Sequence, residues 1–175
     1  MSIVLADSYS EGNRNSSNTV FKDVMAGQSF TGANTKISLA KFLLIKQPGK
    51  TGNVVAKLYS HTGTYGSTGT PDSLLATSEA VDAGLISATF SLIDFSFVGN
   101  QRYQMSSGTK YFILVQPQSE MNLAIGTDNT SPTHDGNFWI STLGANSSTD
   151  ACFYVYGGYE TPIVGNKYPL PAFKI

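Results

Sequence analysis

Residues 52–78 read GNVVAKLYSHTGTYGSTGTPDSLLATS, and this stretch decides the fold. In its first part Val54, Ala56 and Leu58 alternate with other residues, as they do on one face of a β-strand. Its last part is apolar again, and Tyr65 is the only large apolar side chain between Ser60 and Ser73. This pattern is typical of two strands joined by a glycine-rich loop. The loop lacks the Lys-Ser/Thr ending of a phosphate-binding loop, and no helical pattern follows it.

Strand-like segments recur along the rest of the chain. They are rich in Val, Ile, Phe, Tyr and Thr, they lie between clusters of Gly, Asn, Pro and Ser, and helical periodicity is nearly absent. We predict nine strands, at residues 28–31, 36–46, 53–60, 74–80, 88–97, 110–116, 122–126, 137–142 and 152–156. Many short strands with turn signals between them predict an all-β fold, a β-sandwich of two antiparallel sheets.

The composition excludes several classes of protein. The length of 175 residues fits one domain, and 41% of the residues are apolar. Charged residues make up 13%, about half the usual share of roughly 25%, so Ser, Thr, Asn, Gln and Gly must cover the surface. The net charge is −1 and the Lys and Arg residues are scattered, which predicts no nucleic-acid partner. No apolar run approaches the ~20 residues of a membrane-spanning helix, so we expect no membrane partner either.

The N-terminus and the single cysteine bear on location. The apolar run at residues 3–6 is too short for a signal peptide and has no basic start. Cys152 alone cannot form an intramolecular disulfide. We therefore expect synthesis in a cytoplasm. A surface rich in Tyr, Ser, Thr and Asn and poor in charge is typical of outward-facing particles, so the two observations together favour a virion protein.

Both ends of the chain differ from the strand-rich middle. We divide the chain into an N-terminal arm at residues 1–27, a β-sandwich at 28–157 and a C-terminal apolar arm at 158–175. Residues 7–18 are polar and turn-rich, which predicts a loosely held arm. A large apolar side chain that stays in water lacks the stabilisation of roughly 1.5–3 kcal/mol that burial would give it. The C-terminal arm should therefore pack on its own domain or on a neighbouring subunit through Tyr159, Ile163, Tyr168, Leu170, Phe173 and Ile175.

The sequence offers no catalytic pattern. His61 and His134 lie in no metal-binding or catalytic spacing, and a G-x-S-x-G turn is missing. Cys152 lies in the aromatic segment ACFYVYG, where a small buried hydrophobic residue is expected. We expect the protein not to be an enzyme and to need no cofactor.

The densest polar cluster is GTDNTSPTHDGNFW, residues 126–139. An aromatic ring beside Asp and Asn groups can bind a sugar, and Tyr65 at a loop tip could add a second ring. The glycan or receptor contact candidates are Tyr65, Asp128, His134, Asp135, Asn137 and Trp139. Asp128 and Asp135 are also weak Ca²⁺ candidates, since hard cations take carboxylate oxygens. The alternative is turn chemistry, because Asp135-Gly136 suits a tight hairpin.

Several segments occur in an order that resembles a known family. They are QSF (28–30), ISLAKFLLIKQPGKTGNVVAKLYSHTG (37–63), PDSLLATSEAVDAGLIS (71–87), FSF (95–97), SSGTKYFILV (106–115) and FYVYG (153–157). This order resembles the choice-of-anchor type of jelly-roll β-sandwich domain over residues 28–157. The matching signatures are structural ones, at residues 58–59, 74–78 and 108–111. The resemblance therefore implies no active-site residues.

The resemblance implies a role on a bacterial surface or in a phage particle, with a shape like that of carbohydrate-binding modules. Our leading expectation is a non-enzymatic structural virion protein, either a capsid decoration (cement) protein or a tail or fibre component. It would assemble as a symmetric homo-oligomer, with a trimer as the favoured number, and contact other capsid or tail proteins. The alternative is a carbohydrate- or receptor-binding module, with the bacterial cell surface as the alternative location.

Overall fold

A computed structural model describes residues 3–47 and 51–158. Within these residues the chain forms strands, three short 3-10 turns (Glu11–Asn13, Ala83–Leu85 and Gly99–Gln101) and no α-helix. The strands are β1 (Ile3–Tyr9), β2 (Ser16–Phe21), β3 (Ala26–Thr31), β4 (Thr35–Lys46), β5 (Asn53–Thr62), β6 (Thr70–Thr77), β7 (Val81–Asp82), β8 (Ser91–Ser96), β9 (Gln104–Met105), β10 (Lys110–Pro117), β11 (Asn122–Asp128), β12 (Phe138–Ile140), β13 (Gly144–Asn146), β14 (Asp150–Ala151) and β15 (Phe153–Gly158).

The strands form two antiparallel sheets, which confirms the predicted all-β class. The first sheet runs β1-β15-β4-β11-β14, with β2 paired to β11 and with β8 and β9 paired to β4. The second sheet runs β13-β12-β3-β10-β5-β6, with β7 paired to β5. The jelly-roll connection between the sheets stays a prediction.

The core lies between the two sheets and follows from the alternation seen in the sequence. Val54, Ala56 and Leu58 of β5 are fully buried on one face of the second sheet. Phe30 of that sheet contacts Phe153 of the first sheet, with ring centroids 6.4 Å apart. Because side chains on a strand alternate between faces, one apolar set from each strand fills the interior.

The N-terminal residues differ from the prediction. We expected a loosely held arm outside the sheets, whereas Ile3–Tyr9 pairs with β15 and Ser16–Phe21 pairs with β11. Composition misled the prediction here, since these strands are held by main-chain hydrogen bonds to residues more than a hundred positions away. The predicted C-terminal arm residues Tyr159, Ile163, Tyr168, Leu170, Phe173 and Ile175 lie outside the described residues.

Candidate functional site

An open cleft of about 580 Å³ lies where β1 of the first sheet meets the end of β3 of the second. The loop that joins β5 to β6 and the loop that joins β11 to β12 form its other sides. We call it the polar cleft, and its main side chains are Asp7, Tyr9, Thr31, Tyr65, His134 and Asp135. Tyr65, His134 and Asp135 are three of the six predicted contact residues.

Asp7 links the two sheets at the base of the polar cleft. The pairing of β1 with β15 shifts register between Leu5 and Asp7. The Asp7 carboxylate accepts hydrogen bonds from the backbone N–H of Thr31 (2.8 Å) and from Nε2 of His134 (3.2 Å). Burial raises the pKa of Asp7, but these hydrogen bonds lower it by more, so the pKa lies below its usual value of 3.8. Asp7 is therefore an ionised acceptor at neutral pH.

The hydrogen bonds around His134 assign its tautomer. Nδ1 accepts the backbone N–H of Gly136 at 3.0 Å and faces the amide nitrogen of Gln28 at 3.3 Å. Because both partners are donors, Nδ1 carries the lone pair and Nε2 carries the hydrogen that is donated to Asp7. The ring is thus fixed from both sides, and it is oriented toward the protein rather than toward the open cleft.

His134 is hydrogen-bonded to a buried polar network. Gln28 is fully buried and donates to Oδ1 of Asp150 at 2.8 Å, while its carbonyl accepts from the N–H of Ala151 at 2.9 Å. The second Asp150 oxygen accepts from the backbone N–H of His134 at 2.9 Å. Burial raises the pKa of Asp150 and these hydrogen bonds oppose the rise. We call Gln28, His134 and Asp150 the buried network.

Tyr65 lies against the second sheet instead of extending from a loop tip. Its ring is 4.2 Å from Nζ of Lys110, which donates to the hydroxyl of Thr31 at 2.6 Å. The Thr31 hydroxyl in turn approaches the Tyr65 hydroxyl at 3.4 Å. Burial raises the pKa of Tyr65 to about 12, so its hydroxyl stays protonated. One face of the ring is thus covered by a cation, an arrangement typical of cation–π contacts.

Asp128 and Asn137 are buried, and their side chains form hydrogen bonds with the surrounding loops. Asp128 accepts from the hydroxyl of Tyr9 (2.7 Å), from the side-chain amide of Asn15 and from the backbone N–H groups of residues 130 and 131. These bonds, that from Tyr9 first, lower the pKa of Asp128 to about 2. Asn137 donates to the carbonyl of Gly69 at 3.0 Å. The polar atoms of both residues are directed at protein groups.

Two further expectations concern Trp139 and calcium. Trp139 pairs with Gly27 and with Ala145, and it is half-buried on the outer side of the second sheet, away from the residues that line the polar cleft. Among residues 3–47 and 51–158, no group of three or more His, Cys, Asp and Glu side chains could hold a metal ion. The Ca²⁺ candidates Asp128 and Asp135 therefore do not belong to such a group.

The sequence reasoning missed Asp7, Tyr9 and Thr31 as part of the cleft. Asp7 and Tyr9 fell in the predicted arm, and the short apolar run at residues 3–6 was the only signal that a strand precedes them. Thr31 ends a strand that was predicted. Its position beside Asp7 depends on how the sheets pack, which strand patterns do not reveal.

A second feature is an apolar surface on the outer side of the first sheet. Leu5 of the edge strand pairs with Tyr156, and Tyr156 pairs with Leu39, so the three side chains form one row. Ile3 and Val98 adjoin it and are 62% and 47% exposed, and Leu5 is 50% exposed. We call these residues the outer apolar surface: Ile3, Leu5, Leu39, Val98 and Tyr156.

A groove of about 510 Å³ lies within the outer apolar surface. Ile3, Leu39 and Val98 line it together with Gly158, the last residue that the structure describes. The guanidinium of Arg102 donates to the carbonyl of Gly158 at 2.6 Å. We call it the terminal groove, because β15 ends beside it at Gly158.

The other candidates for chemistry are His61, which is half-buried, and Cys152. His61 stacks on Phe112 with ring centroids 5.3 Å apart, and the ring of Tyr65 lies 5.8 Å from it, tilted by 59°. Burial, followed by the charge of Lys110, lowers the pKa of His61. Cys152 is fully buried, and burial raises the pKa of its thiol to about 12. A thiol needs access and a lowered pKa to react, and Cys152 has neither.

Comparison of the sequence with protein-family models found no match, and comparison with curated proteins found none either. Within residues 3–47 and 51–158, no helix is long and apolar enough to span a membrane. The functional argument therefore rests on the two surfaces just described.

Proposed function

We propose that this chain is a non-enzymatic structural protein of a virion, a jelly-roll domain that acts through contacts with other subunits and with the particle. Capsid decoration and a place in the tail or fibre both fit this role. The outer apolar surface is the observation that carries the proposal, because contiguous exposed apolar groups mark surfaces that another protein covers.

The position of this surface on an edge strand strengthens the proposal. One side of β1 pairs with β15, and β1 ends the first sheet. Its first three residues, Ile3, Val4 and Leu5, are all exposed. Natural proteins usually protect edge strands with charged residues, proline or bulges. In β1 the register shift and the charged Asp7 come only after Leu5, so Ile3–Leu5 lacks these devices, as is expected where packing with a neighbour is part of the function.

The virion assignment is supported by the surface chemistry and by the resemblance to the choice-of-anchor domain. Charged residues are only 13% of the chain, which is typical of outward-facing particle proteins. Assembly through that surface favours a homo-oligomer with closed symmetry, and we expect a trimer.

Sedimentation of a matched pair of variants tests the proposal. Leu5→Lys places a charge in the outer apolar surface, while Leu143→Lys changes a side chain that is 82% exposed in the turn before β13 of the other sheet. We expect the wild type and Leu143→Lys to sediment as the same oligomer and Leu5→Lys to dissociate to monomer. Mass spectrometry of purified particles should detect the wild-type chain. A wild type that is monomeric at micromolar concentration and missing from particles would contradict the proposal.

The second candidate is a carbohydrate- or receptor-binding module, and the polar cleft favours it. Tyr65, His134 and Asp135 come from two loops distant in sequence and meet there beside Asp7. The volume of the cleft lies within the range of ligand pockets, about 300–1,000 Å³. Asp135 is exposed and can accept hydrogen bonds from the hydroxyl groups of a sugar, and the half-buried Tyr65 lines the cleft beside it.

A glycan array with two variants tests the second candidate. Asp135→Asn removes the exposed carboxylate from the polar cleft, and Trp139→Ala removes the ring that lies outside it. We expect binding that weakens at least tenfold in Asp135→Asn and stays unchanged in Trp139→Ala. No binding by the wild type, or binding that depends on Trp139 alone, would remove this candidate.

A further inference from the structure

We propose that the terminal groove binds residues 159–175 of a neighbouring copy of this chain. The inference rests on the proposed assembly function and names the partner of the outer apolar surface. The occupant is thus a second copy, which contributes its C-terminal segment.

The first argument is where the described chain ends. Gly158 itself lines the terminal groove and is fixed there by the hydrogen bond from Arg102. Seventeen residues follow Gly158 in the sequence. They include the large apolar side chains of Tyr159, Ile163, Val164, Tyr168, Leu170, Phe173 and Ile175. The exposed apolar surface and the apolar segment that could cover it therefore belong to the same chain.

The second argument is the chemistry of the groove. Ile3 and Val98 are exposed at its sides, and Leu39 and Phe97 form apolar parts of its lining. Asp94, Ser96 and Ser38 add polar groups at its edge. An apolar lining with polar groups at the edge suits an extended peptide, whose side chains enter the groove while its backbone groups find hydrogen-bond partners.

The third argument is reach. A chain spans at most about 3.3–3.6 Å per residue, so the seventeen residues that follow Gly158 can cover up to roughly 56–61 Å. This is long enough for the segment of one copy to reach the terminal groove of the neighbouring copy in the proposed oligomer. Exchange of this kind from copy to copy forms a ring when the rotation between neighbouring copies closes, as it does in the proposed trimer.

Disulfide trapping between two full-length variants tests the inference. Val98→Cys marks the groove and Leu170→Cys marks the segment, and the two chains are co-expressed with different affinity tags. Leu143→Cys replaces Val98→Cys in the control pair, because Leu143 is exposed but lies outside the outer apolar surface. The native Cys152 is fully buried and should not take part. Peptide mass spectrometry after mild oxidation measures the 98–170 link.

We expect the 98–170 link to join chains with different tags in at least fivefold higher yield than the 143–170 link. A second variant carries both Val98→Cys and Leu170→Cys in one chain. If its link forms within one chain and is unaffected by dilution, the segment packs on its own copy and the inference is overturned.

The inference is also overturned if the 98–170 yield equals the control. If that occurs while the wild type still sediments as an oligomer that Leu5→Lys dissociates, the proposed assembly function stands. A wild type that sediments as a monomer would overturn both.

Discussion

Asp128 shows how a residue that looks functional in the sequence can be structural in the fold. It follows a strand, lies in the most polar segment of the chain and precedes a turn, as ligand-binding aspartates often do. In the structure its carboxylate receives hydrogen bonds from Tyr9, from Asn15 and from two backbone N–H groups. These donors come from β1, from the segment before β2 and from the loop after β11. The side chain therefore holds the N-terminal strands against the loop that carries His134.

Asp128 should make stability depend on pH in the acid range. Its pKa of about 2 in the folded chain lies below the ordinary value of 3.8. The stabilisation is therefore complete above pH 3.8 and is lost as the pH falls toward 2. We expect the urea midpoint of Asp128→Asn to lie below that of the wild type at pH 6 and the difference to shrink at pH 2.5. Asp135→Asn, which changes an exposed carboxylate, is the control. A difference that is the same at both pH values would contradict this role.

Cys152 should be unreactive in the folded protein. Burial raises the pKa of the thiol from 9.0 to about 12, so the thiolate fraction near pH 8 falls about a thousandfold. We expect iodoacetamide to label the chain in urea within minutes and to leave the native protein unlabelled over hours, as mass spectrometry can follow. Rapid labelling without urea would show that β15 opens easily or that the thiol is accessible.

Elements differ in how far the sequence could predict them. β4, β5 and β10 were predicted to within two residues at each end, because their apolar runs and alternation are strong. β1 and β2 were missed, since Ile3 pairs with Gly158 and the pairing is invisible in local composition. β6 begins four residues earlier than predicted because Pro71, which signals a turn, is tolerated in the edge strand of the second sheet.

The candidate site was less predictable than the strands for the same reason. The loop between β5 and β6 was correctly expected to connect two strands, but the sequence did not show that the loop packs on the second sheet. Gly66 has φ = +77°, and a side chain there would meet the carbonyl of Asp135 at 2.4 Å. This close approach of two loops brings Tyr65 beside Asp135. It depends on packing between segments about 70 positions apart, for which a local pattern carries no signal.

Gly69→Ala should lift the loop between β5 and β6 from the sheet. A Cβ at this position would lie 2.3 Å from Nε2 of His61 and 2.6 Å from the side-chain oxygen of Asn137. Neither side chain can move easily, because His61 stacks on Phe112 and contacts the tilted ring of Tyr65, and Asn137 is fully buried. We expect a loss of about 1–3 kcal/mol in the free energy of unfolding. The measurement is urea denaturation.

Gly12→Ala is the matched control for this change. The added Cβ would come no closer than 3.6 Å to its nearest neighbour, the hydroxyl of Ser10. We expect its unfolding free energy to stay within about 0.5 kcal/mol of the wild type. Equal stability of the two variants would show that the loop is not packed as described.

On the scale of the whole molecule, polar and apolar groups are found in unexpected places. The buried network of Gln28, His134 and Asp150 lies between the sheets, where apolar residues would be the simpler choice. The outer apolar surface is exposed to solvent, where polar residues would be the simpler choice. A satisfied polar network fixes how the two sheets meet, since its hydrogen bonds form in one arrangement only. A sandwich whose sheets are fixed in this way can present the outer apolar surface as a rigid area for contact.

Self-association through the outer apolar surface should respond to salts and temperature as apolar burial does. Added NaCl from about 0.05 to 0.5 M screens charges and should leave the oligomer intact. Sulfate strengthens apolar association, and cooling weakens it, so we expect tighter assembly in ammonium sulfate and weaker assembly at 4 °C than at 25 °C. Sedimentation equilibrium measures the association constant, with Leu143→Lys as the control that should behave like the wild type. Dissociation by NaCl alone would mean that charged groups, and not Ile3, Leu5 and Val98, hold the copies together.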